Sequence, residues 1–325
     1  MLSEFELITR YFAGPAQSAA AGVPGVGSGV VLGPGDDCAV LAPTPGSQLA
    51  ISVDSSLADV HFPADAPAAA IGHRVLAVAL SDLAAMGARA RWCVMAITLP
   101  EADDAWLAGF AEGFHALCRA CEMILVGGDV TRGPLSVSVT VHGEFPAGQA
   151  LTRGGGKAGD VLAVTGSLGG GRGGLDAWYA GERELDDPLL AAYLLPQPRL
   201  AAGEALRGLA HSAIDISDGL LVDLDHLCTA SGLGAELEAA DLPLSAGLVA
   251  RLGEAAAREA ALCGGDDYEL LISLPAAQFE TARQRLAAVD VPLTVIGRLR
   301  QAPGIAGVDA GLLRNGWRHF PEGAS

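Results

Sequence analysis

Apolar residues follow two rhythms along this chain. Short apolar or alternating runs predict strands at 49–53, 92–99, 123–126 and 135–145, because a strand turns successive side chains to opposite faces. Longer runs with helical spacing cover 67–86, closed by Gly87, and 103–121. Near the start, Ser3 and Glu6 form a capping-box pattern that opens an amphipathic helix. The stretch "ALTRGGGKAGD" at 150–160 interrupts the rhythm with glycine and places a domain boundary there, dividing 1–148 from 149–325. Beyond it the pattern predicts strands at 161–165, 235–238, 268–274 and 293–297, with helices near 199–210 and 219–231. Mixed elements on both sides predict two domains of α/β or α+β class.

Composition narrows the function classes. Half of the 325 residues are hydrophobic, and the 43 glycines and 18 prolines separate apolar runs as tight turns do. A formal charge of -18 argues against nucleic acid or an anionic membrane surface as the main partner. No apolar run approaches the ~20 residues of a membrane span, so the expectation is a soluble cytoplasmic protein. The six cysteines sit mostly alone in apolar segments and predict reduced, packed thiols. Cys118 and Cys121 make a C-x-x-C, but no second pair completes a zinc site, which favours helix packing.

Two glycine-rich stretches invite a phosphate-loop reading and fail it. "TGSLGGGRGG" at 165–174 lacks the GK[ST] ending, and in "RGGGKAG" the residue after Lys157 is Ala158. Both are expected to be flexible connections. Acids at strand ends are the stronger signal. "LAISVD" ends in Asp54, "MILVGGD" in Asp129, and "HSAIDISD" carries Asp215 and Asp218, while Asp82 lies inside a nearly all-apolar helix. Two further turns pair acids: "GPGDDCAVL" has Asp36 and Asp37, and "CGGDDYELLIS" has Asp266 and Asp267. Taken singly, Asp36, Asp54 and Asp218 also fit ordinary turns or helix caps. Taken together, clustered carboxylates without His or Cys fit a hard oxygen-seeking cation, so Mg²⁺ with a polyphosphate is the natural inference.

At these residues a resemblance appears. "GPGDDCAVL", "SVDSSLADVHF", "LSDLAAMGARARW", "GGDVTRG", "AIDISDGLLVDL" and "GGDDYELL" occur in the order seen in the thiamine-monophosphate kinase family, of the aminoimidazole ribonucleotide synthase superfamily. The resemblance runs from the first helix to "GWRHF". It implies an N-terminal α/β domain that binds ATP and Mg²⁺ and pairs in a homodimer, and a C-terminal α+β domain closing the cleft. It implies ATP-dependent phosphorylation of thiamine monophosphate to thiamine diphosphate. Carried over by motif, Asp37, Ser52, Asp54, Asp82, Asp129, Asp215 and Asp218 surround several Mg²⁺ ions, with Val53 contributing through its backbone. Gly128, Asp129, Arg153 and Ser217 contact ATP; His61, Asp266 and Trp317 contact the thiamine phosphate. Family members commonly carry Glu where this chain has Asp266.

The sister activities fit less well. Selenophosphate synthase is expected to carry a reactive Cys in an N-terminal glycine-rich segment, and "GVPGVGSG" has none. The hydrogenase-maturation relative needs a C-terminal cysteine, yet none follows Cys263. An aminoimidazole ribonucleotide synthase-like activity remains an alternative, as does a non-catalytic sensor of Mg²⁺ and nucleotide. Phosphoryl transfer asks mainly for positioning and charge stabilisation, so no residue is expected to serve as a strong general base.

Overall fold

A computed structural model of the chain describes residues 4–12, 29–309 and 311–312. The described residues before Ala84, with Ala88–Gly148, form one compact unit; Ala84–Gly87 with those from Gln149 onward form a second. Ser3, needed for the expected capping box, lies outside the described residues.

In the first unit, α1 (Glu4–Leu7) runs into a π-helical turn at Ile8–Phe12. The short strands β1 (Val30–Leu32) and β2 (Val40–Leu41) pair antiparallel. Then come β3 (Ser47–Leu57), α2 (Ala68–Ala85), β4 (Arg89–Leu99), α3 (Asp104–Ala120), β5 (Ile124–Arg132) and β6 (Ser136–Pro146). The long strands form a sheet in the order β3-β6-β4-β5, which makes β3 and β5 its two edges. Only β4 and β5 run parallel, as the crossover through α3 requires. Alternation in the sequence sets the faces of β6. Val137, Val139 and Val141 are fully buried, whereas Ser136, Ser138, Thr140 and His142 are half-exposed. Helix α2 is apolar enough to cross a membrane by composition, but Leu76, Leu80 and Leu83 have no exposure, as befits a core helix.

The second unit holds β7 (Val161–Thr165), α4 (Gly170–Tyr179), α5 (Pro188–Leu194), α6 (Leu200–Leu206), β8 (Ser212–Asp215), α7 (Leu220–Ser231) and β9 (Gly234–Leu237). It continues with α8 (Leu248–Leu252), α9 (Glu254–Cys263), β10 (Leu270–Leu274), α10 (Phe279–Ala287), β11 (Leu293–Arg300) and β12 (Gly304–Ala306). Its sheet has the order β12-β9-β11-β7-β10-β8, antiparallel throughout except for β12 beside β9. One core cluster joins Leu162 and Val164 of β7 to Ile214, Leu224, Leu271 and Ile296.

Several expectations need correcting. The glycine-rich segment after β7 is no flexible connection but the helix α4. Its glycines serve packing: a Cβ on Gly174 would lie 2.1 Å from the Leu189 carbonyl oxygen of α5. Strand β5 does not stop at 126 but keeps its ladder with β4 through Gly127, Gly128 and Asp129. The strand expected from 268 begins at Leu270, because Tyr268 adopts a left-handed φ of 51° that no strand accommodates.

Candidate active site

In the first unit a cleft of about 840 Å³ is lined by Ile8 and Phe12, by residues 34–39, and by Gly128 and Asp129. Asp36 is used by its own turn, where its Oδ1 accepts the Asp37 N–H at 2.8 Å. Asp37 and Asp129 are both exposed on the cleft wall. The glycine before Asp129 is required, since a Cβ on Gly128 would stand 1.9 Å from the Met95 carbonyl oxygen.

The opposite edge of the sheet carries Ser52, Val53 and Asp54 on β3. The Ser52 hydroxyl donates to Oδ2 of Asp82 on α2, which gives the acid of that apolar helix a polar partner. Asp54 stands in one row with Val139, Met95 and Gly128. That row crosses three strand spacings of about 4.8 Å, so its ends are roughly 14 Å apart. Asp129 lies in the next row, beside Ala96, and so faces the other side of the sheet. Two ligands of one Mg²⁺, each at about 2.1 Å, lie within about 4 Å of each other. One copy of the chain therefore cannot offer Asp54 and Asp129 to the same ion. The carboxylates of the first unit fall into two sets, Asp37 with Asp129 on the cleft wall, and Asp54 on the strand whose Ser52 bonds Asp82.

His61 follows β3. Its Nδ1 accepts the Leu57 N–H at 3.1 Å, which leaves the proton of the neutral ring on Nε2. Its carbonyl accepts from Nε of the buried Arg74 at 3.2 Å.

In the second unit, Asp215 ends β8 and is 5% exposed, and Ser217 and Asp218 occupy the turn before α7. Oδ2 of Asp223 accepts the N–H groups of Ser217, Asp218 and Gly219 at 3.1, 3.2 and 3.2 Å. Burial pushes the Asp223 carboxyl up to about 8, and the charges of Asp215 and Asp218 add to that, while the turn's N–H groups pull it down. The turn at 265–268 lies against this one: the Asp266 N–H donates to the Ser217 carbonyl and the Tyr268 N–H to the Ile216 carbonyl, both at 2.8 Å. Oδ1 of Asp266 accepts the Tyr268 hydroxyl at 2.7 Å.

Its neighbour Asp267 points to other work. It accepts the N–H groups of Gly169 and Gly171 at 2.9 and 3.2 Å, so it braces the start of α4. Removal from water pushes its carboxyl up to about 8. A cavity of about 320 Å³ beside it is lined in part by Ser167, Ser245, Arg199 and Glu269. There Glu269 accepts Arg199 Nη2 and Nε at 2.6 and 2.7 Å and the Thr165 hydroxyl at 2.6 Å. Arg153 is exposed. Trp317 lies outside the described residues.

Asp223 escaped the sequence reading, and Asp267 was read there only as one of a pair of acids, without its bracing role. The available signal for the first was an acid within the apolar start of a helix, "SDGLLVDL". Among the described residues no group of three His, Cys, Asp or Glu stands arranged to hold a metal ion. The donor set still fits Mg²⁺, which takes one or two carboxylates and completes its shell with water and phosphate oxygens.

Comparison with known proteins gives a consistent result. The family model described as AIR synthase related protein, N-terminal domain, matches residues 35–145, and its C-terminal counterpart matches 157–309. The chain is similar to thiamine-monophosphate kinase of Escherichia coli (strain K12), with 42% identity over 91% of this chain and 90% of that protein. Among solved structures it resembles thiamine-monophosphate kinase from Stenotrophomonas maltophilia K279a at TM-score 0.84 and 42% identity, covering 94% of this chain and 96% of the other. It also resembles "AaThiL complexed with AMPPCP and TMP" at TM-score 0.77 and 28% identity, covering 86% and 89%.

Proposed function

This chain belongs to the AIR synthase related family and, within it, to the thiamine-monophosphate kinases; from that premise we propose that it transfers the γ-phosphoryl group of ATP to thiamine monophosphate, giving thiamine diphosphate and ADP. The observation that carries this reading is 42% identity to such a kinase across nine-tenths of both chains. The relative solved with AMPPCP and TMP supports the pair of substrates.

Asp37, Ser52, Val53, Asp54, Asp82, Asp129, Asp215 and Asp218 are the residues assigned to Mg²⁺. When bound, Mg²⁺ would offset the repulsion between two anionic reactants. The chain's own residues position and orient. Gly128 gives the nucleotide phosphates access to backbone, and Ser217 and Arg153 add a hydroxyl and a fixed positive charge. His61 offers an Nε2 proton to the substrate phosphate. Asp266, oriented by the Tyr268 hydroxyl, offers carboxylate oxygen to the cationic thiamine rings. A phosphate oxygen of thiamine monophosphate, already ionised at neutral pH, attacks in line, so no side chain needs to remove a proton. The six cysteines are free thiols, in keeping with work in the cytoplasm.

The working form in this reading is a homodimer joined through the first unit. Leu49, Ile51, Val53 and Leu57 of edge strand β3 are all exposed and share one face, an apolar patch that ordinarily finds a partner. A second copy would also bring the Asp54 set of one chain to the Asp129 set of the other. Light scattering should give a dimer, and mixing inactive Asp54→Asn with inactive Asp129→Asn should recover activity that neither has alone. A fully active monomer would overturn this assembly.

The substrate assignment is tested by ADP release from ATP with Mg²⁺. Thiamine monophosphate should be required and thiamine diphosphate should form. Preference for an aminoimidazole precursor, or Mg²⁺–ATP binding with no turnover of any acceptor, would overturn it in favour of the sister enzyme or the sensor.

A further inference from the structure

We propose that Asp223 is the positioning residue of the turn that carries Ser217 and Asp218. This rests on the nucleotide and metal roles proposed above for those two residues. Asp223 is 3% exposed, and a single oxygen of its carboxylate gathers three successive N–H groups, from Ser217, Asp218 and Gly219. These N–H groups precede helix α7, which begins at Leu220. Ordinary capping works the other way, with a side chain ahead of the helix accepting from the N–H groups of its first turn. Here a side chain inside the helix reaches back and fixes the turn ahead of it.

The placement is costly for stability alone. A carboxyl withdrawn from water is unfavourable until its oxygens find hydrogen-bond donors, and here those donors are the N–H groups of the turn. What the arrangement secures is the shape of the turn.

The same turn is gripped on its other side by the substrate turn. The N–H groups of Asp266 and Tyr268 donate to the carbonyls of Ser217 and Ile216, and the Ile216 N–H donates to the Glu269 carbonyl, all at 2.8 Å. Gly265 permits this closeness, since a Cβ there would lie 2.6 Å from the Ser217 carbonyl oxygen. Asp223 therefore holds the nucleotide turn directly and the Asp266 turn through it. A shift of the first displaces the second.

The experiment compares Asp223→Leu, which removes the acceptor, with Asp223→Asn, which keeps an oxygen of similar reach but no charge. Two quantities are read: the Mg²⁺ concentration giving half-maximal turnover, and the rise in melting temperature caused by Mg²⁺ with a non-hydrolysable ATP analogue. Asp223→Leu should raise the first at least about tenfold, as loss of an outer-shell partner of a metal ligand typically does. It should also abolish the thermal shift while remaining folded at the assay temperature. Asp223→Asn should stay within a few-fold of the wild type on both. If Asp223→Leu does not fold, Asp223→Glu carries the test, because its extra methylene displaces the acceptor while keeping it; a raised Mg²⁺ requirement is then expected. Wild-type Mg²⁺ dependence and thermal shift in a folded Leu or Glu variant would overturn the proposal, as would an Asn variant as impaired as Leu. Failure of the wild type to turn over thiamine monophosphate, with the nucleotide thermal shift intact, would instead count against the substrate reading.

Discussion

The tripeptide Gly-Asp-Asp occurs at 35–37 and again at 265–267, and the two copies do opposite things. In the first, both acids are exposed, Asp36 accepts a hydrogen bond within its own turn, and Asp37 faces an open cleft. In the second, Asp266 takes a left-handed φ of 59° and accepts the Tyr268 hydroxyl, while Asp267 braces the first turn of α4. One turn leaves a carboxylate open to solvent. The other uses a carboxylate to hold backbone in place. Identical residues gain different roles because a carboxylate in water keeps its charge cheaply, whereas one withdrawn from water must be matched by hydrogen-bond donors.

The largest effect that could break this contrast lies at the open turn and the cleft wall it shares with Asp129. Asp37→Asn and Asp129→Asn keep side-chain size and remove charge, so they should cut turnover by at least about a hundredfold, as loss of transition-state charge stabilisation does. Both should melt like the wild type without ligand. At the braced turn the order of effects reverses. Asp267→Ala should lower the unfolding free energy by about 1–3 kcal/mol, because two N–H groups at the start of α4 lose their acceptor; chemical denaturation measures it. If Asp267→Ala were neutral for stability while Asp37→Asn unfolded the chain, the contrast would be backwards.

A subtler effect sharpens it. The Asp267 carboxyl stands at about 8 in the folded protein against 3.8 for an ordinary Asp. The folded state therefore binds more protons than the unfolded state between those values, and this group's contribution to stability falls as pH rises from 4 to 8. Asp267→Asn should lose that slope, so its stability relative to the wild type should improve between pH 5 and pH 8, as paired denaturation curves would show. The smallest effect belongs to Asp36: Asp36→Ala, at an exposed turn, should change the unfolding free energy by less than about 0.5 kcal/mol.

Much of this fold is legible in local pattern. Strand β7 and the span of α3 follow directly from where apolar residues fall, because burial on one face writes its period into the sequence. Helix α4 does not, since glycines that look like a flexible break are there to let α5 approach. The candidate site shows the same division. Acids at strand ends mark it, and the order of motifs names its family. The distance between Asp54 and Asp129 depends on strand order, which no local pattern encodes. Asp267 braces backbone that lies 98 residues earlier, and Asp223 reaches back onto the turn ahead of its helix where ordinary capping runs forward, so neither role is written in local pattern.

In the function proposed, carboxylate-bound Mg²⁺ serves phosphoryl transfer to thiamine monophosphate. The direct measurement is the rate of thiamine diphosphate formation against Mg²⁺ concentration, for the wild type and for Asp37→Asn, each shown to be folded. The wild type should be inactive without the ion and saturate as it is added, with Asp37→Asn nearly inactive throughout. Thiamine diphosphate formed equally fast without Mg²⁺, or by Asp37→Asn as fast as by the wild type, would contradict the account.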